Sequence, residues 1–159
     1  MQKLTIVKLP EMDEKEIKDA LRNEKLCRIA FIEDKFPYIS PFQYVNINDT
    51  LYFHFTNYGR KREILKKNRN VCVSIEHFEK DLSQYFFISI QGKLILVENS
   101  KEKSLVIQKI VEIARDNFST NILTAHGFEK SNGWNGFKEE NLSIYKLEEV
   151  GKPIGLKSF

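Results

Sequence analysis

The chain has almost no cysteine: Cys27 and Cys72 are the only two in 159 residues. No cysteine–histidine cluster has zinc spacing, which excludes the common structural zinc motifs. Both lie in apolar, strand-like runs, the setting of buried reduced thiols in a cytosol, not of a disulfide framework. No run approaches the roughly twenty apolar residues of a membrane span. The N-terminus, "MQKLTIVKLPEMDEKE", lacks the long apolar core of a signal peptide, so a cytoplasmic protein is expected. There is no hydrolytic triad pattern, no Walker loop, no internal repeat and no low-complexity tract. The length fits one domain over residues 1–159, with an N-terminal helix region through 25 and a loop region at 118–140. A domain of this size buries roughly 70% of its unfolded surface and needs no staple.

What is present is a local excess of positive charge. Six of the eleven residues from Arg60 to Asn70 are Lys or Arg, opposed by Glu63 alone, a net of +5. The other residues carry nineteen positive and twenty-one negative charges, a net of −2. Charge gathered at one junction points to a small anionic ligand, whereas a nucleic-acid binder spreads it over a face. A solvated basic helix is the plainer reading of the same run.

The pattern along the chain is mostly strand. Asp13 and Glu16 form a capping box, and Ile17, Ala20 and Leu21 follow at helical spacing. "LCRIAFIE" (Leu26 to Glu33), "YISPFQYVNI" (Tyr38 to Ile47) and "TLYFHFT" (Thr50 to Thr56) read as strands, with a tight turn at Asn48 and Asp49. Pro41 inside the second strand marks an edge, a bulge or a ligand-facing backbone. A short helix follows Gly59, with Ile64 and Leu65 inward. "VCVSIEHF" and "QYFFISIQGKLILVEN" are further strands, the latter with a bend or bulge at Gly92. Ser100 caps the main helix, Lys101 to about Asn117, whose apolar face is Leu105, Ile107, Ile110, Val111, Ile113 and Ala114. "NLSIYKLEEV" is the last strand. Six strands joined mostly by turns predict a mainly β fold, an antiparallel six-stranded barrel with flanking helices.

The junction "FTNYGRK" holds the parts of a phosphate site. A helix start offers unpaired N–H groups, Gly59 permits close backbone approach, Thr56 brings a hydroxyl, and Arg60 and Lys61 bring charge. In order and spacing, "PYISPFQY", "LYFH", "GRKREILKKNRNVCV", "QGKLILVEN" and "EEVGK" resemble the FMN-binding split barrels related to pyridoxamine 5'-phosphate oxidase. Within these they are most similar to the nitroimidazole-resistance, nitroreductase-like branch. The resemblance covers about Cys27 to Lys152. It implies an FMN-binding homodimer with flavin at the subunit interface, acting with NAD(P)H on small electrophilic aromatic or quinone-like compounds. It further implies that Thr56, Arg60 and Lys61, with Phe55 and Gly59 beside them, take the phosphate, and that Ser40, Pro41, Phe42 and Gln43 line the ring. The family's polar residue on the strand near Tyr85 is Phe87 here, with Ser89 one step along the same face.

His54, in the strand before the turn, is the candidate catalytic residue; a hydrogen-bonded core histidine is the alternative. His77 and His126 read as surface residues. Trp134, in a Gly/Asn-rich loop, is a candidate lid over a planar ligand or an anchor for its own loop. The aromatics Tyr38, Phe42, Tyr44, Tyr52 and Phe55 exceed what one small barrel should enclose, so a surplus apolar face is expected to be covered by a second copy. No membrane or nucleic-acid partner is expected. Rival readings are a flavin or haem carrier without turnover, with His54 as haem ligand, a deazaflavin in place of FMN, and a salt-sensitive nucleic-acid module.

Overall fold

A computed structural model describes residues 4–159. Helix α1 (Glu14–Asn23) starts with the expected reciprocal capping box: Glu16 N–H donates to the Asp13 carboxylate, and Asp13 N–H to the Glu16 carboxylate. Strands β1 (Leu26–Glu33), β2 (Phe36–Ile47) and β3 (Thr50–Thr56) form a meander. The β1–β2 turn is shorter than the sequence implied, because Asp34 takes a positive φ of 43° and Phe36 already pairs with Glu33. At the β2–β3 turn Asn48 and Asp49 both have positive φ, 51° and 62°, the left-handed pair that a two-residue hairpin needs.

Helix α2 (Arg60–Lys67) buries Ile64 and Leu65. Strands β4 (Asn70–Phe78) and β5 (Tyr85–Leu96) pair along nine residues. Helix α3 (Ser100–Asn117) begins one residue earlier than expected, because Asn99, not Ser100, accepts the first-turn N–H. Its inward face is Val106, Ile107, Ile110 and Ala114, with Val111 and Ile113 packed against the same cluster; of the expected stripe only Leu105 is exposed, and Val106 takes its place. The segment read as loop contains a five-residue helix, α4 (Asn121–Ala125), and 3-10 turns at Lys130–Gly136 and Glu139–Asn141. Strand β6 (Leu142–Glu149) is followed by a short β7 (Ile154–Lys157) that the sequence pattern did not reveal.

The strand order β4-β1-β2-β3-β6-β5, with β5 returning to β4, closes a six-stranded antiparallel barrel. Strand β7 adds to the edge of β5 that β6 leaves free: it pairs at Phe86–Ser89, and β6 pairs at Gly92–Leu96. Gly92 sits where β6 comes closest. A Cβ there would lie 2.6 Å from the Glu148 carbonyl oxygen, so the glycine permits close backbone approach.

The barrel interior takes alternate residues of each strand, among them Ile29, Phe31, Phe42, Tyr44, Phe53, Phe55, Val73 and Ile90. A second apolar cluster lies outside β2, β3 and β6, where α3, α4 and the following turns cover Val45, Tyr52 and Ile144. The expected aromatic surplus is therefore not wet. Phe42, Tyr44 and Phe55 fill the barrel, Tyr52 lies under α3, and Tyr38 packs on the core's rim. What remains uncovered on these strands is Leu26 and Ile32 of β1 with Phe36 and Ile39 of β2, each more than half exposed.

Candidate functional site

Strands β2 and β3 do not stay together. Their register runs only from Tyr44↔Phe53 to Ile47↔Thr50. Beyond it, the first half of β2 remains with β1 and the end of β3 remains with β6. The barrel wall is split there, and a groove of about 470 Å³ opens in the split. Pro41, Phe42 and Gln43 line one edge, and His54, Phe55 and Thr56 the other. Lys61 reaches in from the first turn of α2, and Thr124 to Gly127 close the far side. Pro41 is explained by this geometry: at that point β2 has no β3 partner whose carbonyl would need an N–H.

The groove contains no carboxylate among its lining residues. Lys61 is its one full charge. The ammonium lies 3.4 Å from the buried Ser40 hydroxyl and 4.9 Å from the centre of the Phe42 ring. Burial alone holds its pKa below the usual lysine value. Such a half-buried cation without an acidic partner is poised for an anion from solution. Gly59 has φ 97° and provides no side-chain cap, so the first N–H groups of α2 have no side-chain acceptor at the cap. Thr56 donates its hydroxyl to the Tyr58 carbonyl at 2.8 Å, which folds the turn and leaves its oxygen lone pairs for other donors.

Arg60 points elsewhere. Its Nε and Nη2 lie 2.9 and 2.5 Å from one carboxylate oxygen of Glu33, and the guanidinium sits 4.3 Å over the Tyr38 ring. Its fork is thus taken, and it does not line the groove. Ser89 and Trp134 are also set apart. Ser89 lies on the outer barrel face, 3.2 Å from the Cys72 sulfur, with Phe87 two residues back along the strand. Cys72 is itself only half-buried, unlike Cys27, whose thiol pKa burial drives upward. Trp134 packs near Phe137, with ring centres 6.3 Å apart, and borders a separate surface hollow beside α3.

His54 is buried and makes no side-chain hydrogen bond; its Nδ1 is unpartnered, as is Oε1 of buried Gln43. Gln43 uses its amide N–H₂ to hold the Ile110 carbonyl at 3.1 Å. The residue that the sequence reading missed is His126. It caps the C-terminus of α4, its ring centre lies 4.4 Å from that of His54, and its Nε2 is also buried without a partner. Burial, followed by the repulsion of His126 and Lys61, lowers the His54 pKa to about 3. Burial and Lys61 lower that of His126 to about 4. Gly127 holds this loop against the Thr56–Lys61 turn: it has φ 78°, and a Cβ would lie 3.0 Å from the Tyr58 hydroxyl. The available signal was the pair His126-Gly127 in a chain with only three histidines. The third, His77, is partly exposed and 3.2 Å from Glu24.

Comparison with known proteins agrees with this architecture. No curated protein sequence matches. Among solved structures, a candidate 5-nitroimidazole antibiotic resistance protein from Bacteroides thetaiotaomicron is 23% identical, with TM-score 0.64 over 94% of this chain and 90% of its own. An FAD-binding protein from Mesorhizobium loti is 16% identical, with TM-score 0.64 over 95% and 99%. A heme storage protein from Vibrio cholerae is 16% identical, with TM-score 0.64 over 92% and 95%. At these identities the likeness is one of fold. The family model for pyridoxamine 5'-phosphate oxidase matches residues 13–130, from the capping box of α1 through the groove to the loop beyond α4. The chain belongs to the pyridoxamine 5'-phosphate oxidase family.

Proposed function

We propose that the split groove binds FMN and that the protein is an NAD(P)H-linked oxidoreductase of small electrophilic aromatic or quinone-like compounds. The observation that carries this reading is the unpaired Lys61 ammonium at the start of α2, in an apolar groove without carboxylates. The donor set suits a flavin phosphate: Lys61, the α2 N–H groups and Gly59 would hold it, and Ser40 would position the ammonium. Phe42 and Pro41 offer an apolar wall for a planar ring, and the free Oε1 of Gln43 is an acceptor for a ring N–H. Arg60, occupied by Glu33, supports the turn and steers anions by charge without gripping the phosphate.

A bound flavin supplies the electron transfer, and the protein supplies position and environment. Here that environment is a groove whose two histidines stay neutral at physiological pH. The exposed apolar face of β1 and β2, on the side of Pro41 at the groove rim, is where a second copy would pack in a homodimer.

The test is the absorption spectrum of purified protein, followed by identification of what denaturation releases. A flavin spectrum and released FMN support the reading. A Soret band and released haem would favour the carrier alternative, with an unpartnered His54 nitrogen as the available ligand.

A further inference from the structure

We infer that His126, carried on α4, pairs with His54 as a recognition point for an oxygen acceptor of a planar electron-accepting substrate, a quinone carbonyl or a nitro oxygen. This rests on the reductase reading for what happens to the substrate, but the recognition itself belongs to the two imidazoles.

The two rings are in contact, tilted 46° to each other, yet neither makes a hydrogen bond among the described residues. Both imidazoles line the groove and neither ring is hydrogen-bonded: His54 Nδ1 and His126 Nε2 are sealed from solvent, which leaves His54 Nε2 and His126 Nδ1 as the atoms that a ligand in the groove can reach. The rings are also fixed. Phe137 packs on both, its ring centre 5.5 Å from His54 and 5.3 Å from His126. The His126 backbone N–H is bonded to the carbonyls of Ile122 and Leu123, and the adjacent Gly127 is wedged on Tyr58. Neither side chain can therefore turn out to water without moving the loop.

The chemistry of the ligand follows from what surrounds the pair. A neutral imidazole carries one N–H donor and one acceptor nitrogen. With pKa values near 3 and 4, both rings stay in that state through the neutral range, so they donate hydrogen bonds and do not act as proton stores. Lys61 faces the same space and opposes a cationic ligand. The remaining walls, Phe42, Phe55 and Ile122, suit an apolar planar body. An oxygen with partial negative charge on a conjugated ring meets all of these conditions.

Duroquinone tests this, because its fully substituted ring cannot add to thiols, and durene is the same shape without oxygens. The purified protein is titrated with each while the imidazole nitrogens are followed by NMR. Duroquinone should shift the nitrogens of both His54 and His126, and durene should not. His126→Phe keeps a ring on Phe137 but removes the nitrogens; it should weaken duroquinone binding by up to about tenfold and leave durene unchanged. His126→Gln keeps a donor and should lose less, and it serves as well if the Phe variant fails to fold. Unchanged duroquinone affinity in a folded variant overturns the inference. Titration with FMN in the same samples separates it from the flavin reading. If FMN does not bind while duroquinone still engages both histidines, the flavin reading fails and the subsite stands. If FMN itself shifts both imidazoles and excludes duroquinone, the pair is a flavin contact and the inference fails.

Discussion

Acid should destabilise this protein through its paired histidines, and the size of the effect can be worked out. In the unfolded chain each histidine titrates near 6.5, whereas in the fold His54 is held at about 3 and His126 at about 4. Below pH 6.5 the unfolded state takes up protons that the native state refuses. Stability is thus fully present above 6.5 and falls as pH drops through the window toward 4. From pH 7 to pH 5 the loss is at most about 2 kcal/mol for each histidine by proton linkage, or about 4 kcal/mol for the pair. Against a typical domain stability of about 5–15 kcal/mol, that is a large share. Urea unfolding at pH 7, 6 and 5 measures it, with a constant m-value as the check on two-state behaviour. His126→Phe removes one titrating group while keeping an aromatic against Phe137, so its loss between pH 7 and 5 should be smaller than wild type by up to about 2 kcal/mol. The exposed carboxylates and His77 are common to both proteins and cancel in the comparison. Equal losses in wild type and variant would show that His126 protonates freely in the fold, and the buried pair as described would be wrong.

Other consequences follow from the same geometry. Gly92→Ala places a methyl 2.6 Å from the Glu148 carbonyl and should cost about 1–3 kcal/mol in thermal or urea unfolding; an unaffected protein would mean that β5 and β6 are farther apart at that point. Arg60→Ala should change FMN affinity by less than about threefold, because the exposed Arg60–Glu33 pair contributes little to the fold or to the groove. Light scattering should give twice the 18.7 kDa chain mass, and Ile39→Glu on the uncovered face should shift it toward the single-chain value; a wild-type monomer that retains FMN would remove the dimer from the account.

Most of the barrel was legible because its signals are local. The alternation of "TLYFHFT", the paired turn residues Asn48 and Asp49, and the Asp13–Glu16 box each specify their own few residues. Pro41 was legible as an anomaly, and the split between β2 and β3 accounts for it. Signals that depend on a distant partner were not legible. The pairing of Arg60 with Glu33, 27 residues away in sequence, cannot be read from the basic run itself. The aromatic count of β2 and β3 implied a wet face, because the cover supplied by α3 cannot be seen in the strands themselves. Strand β7 has only four residues and exists because β6 leaves part of β5 unpaired. His126 escaped because a histidine in a Gly- and Asn-rich segment carries no mark of burial, and only the fold of α4 brings it to His54.

The central claim is that the groove at the start of α2 recognises a phosphorylated flavin through Lys61. Titration of apoprotein with FMN and with riboflavin, in wild type and in Lys61→Ala, tests it most directly. FMN should bind more tightly than riboflavin, and Lys61→Ala should weaken FMN by about 1.5–3 kcal/mol, the worth of a charged hydrogen bond, while barely changing riboflavin. Equal affinity of the wild type for the two flavins, or an equal loss of both in the variant, would contradict the account.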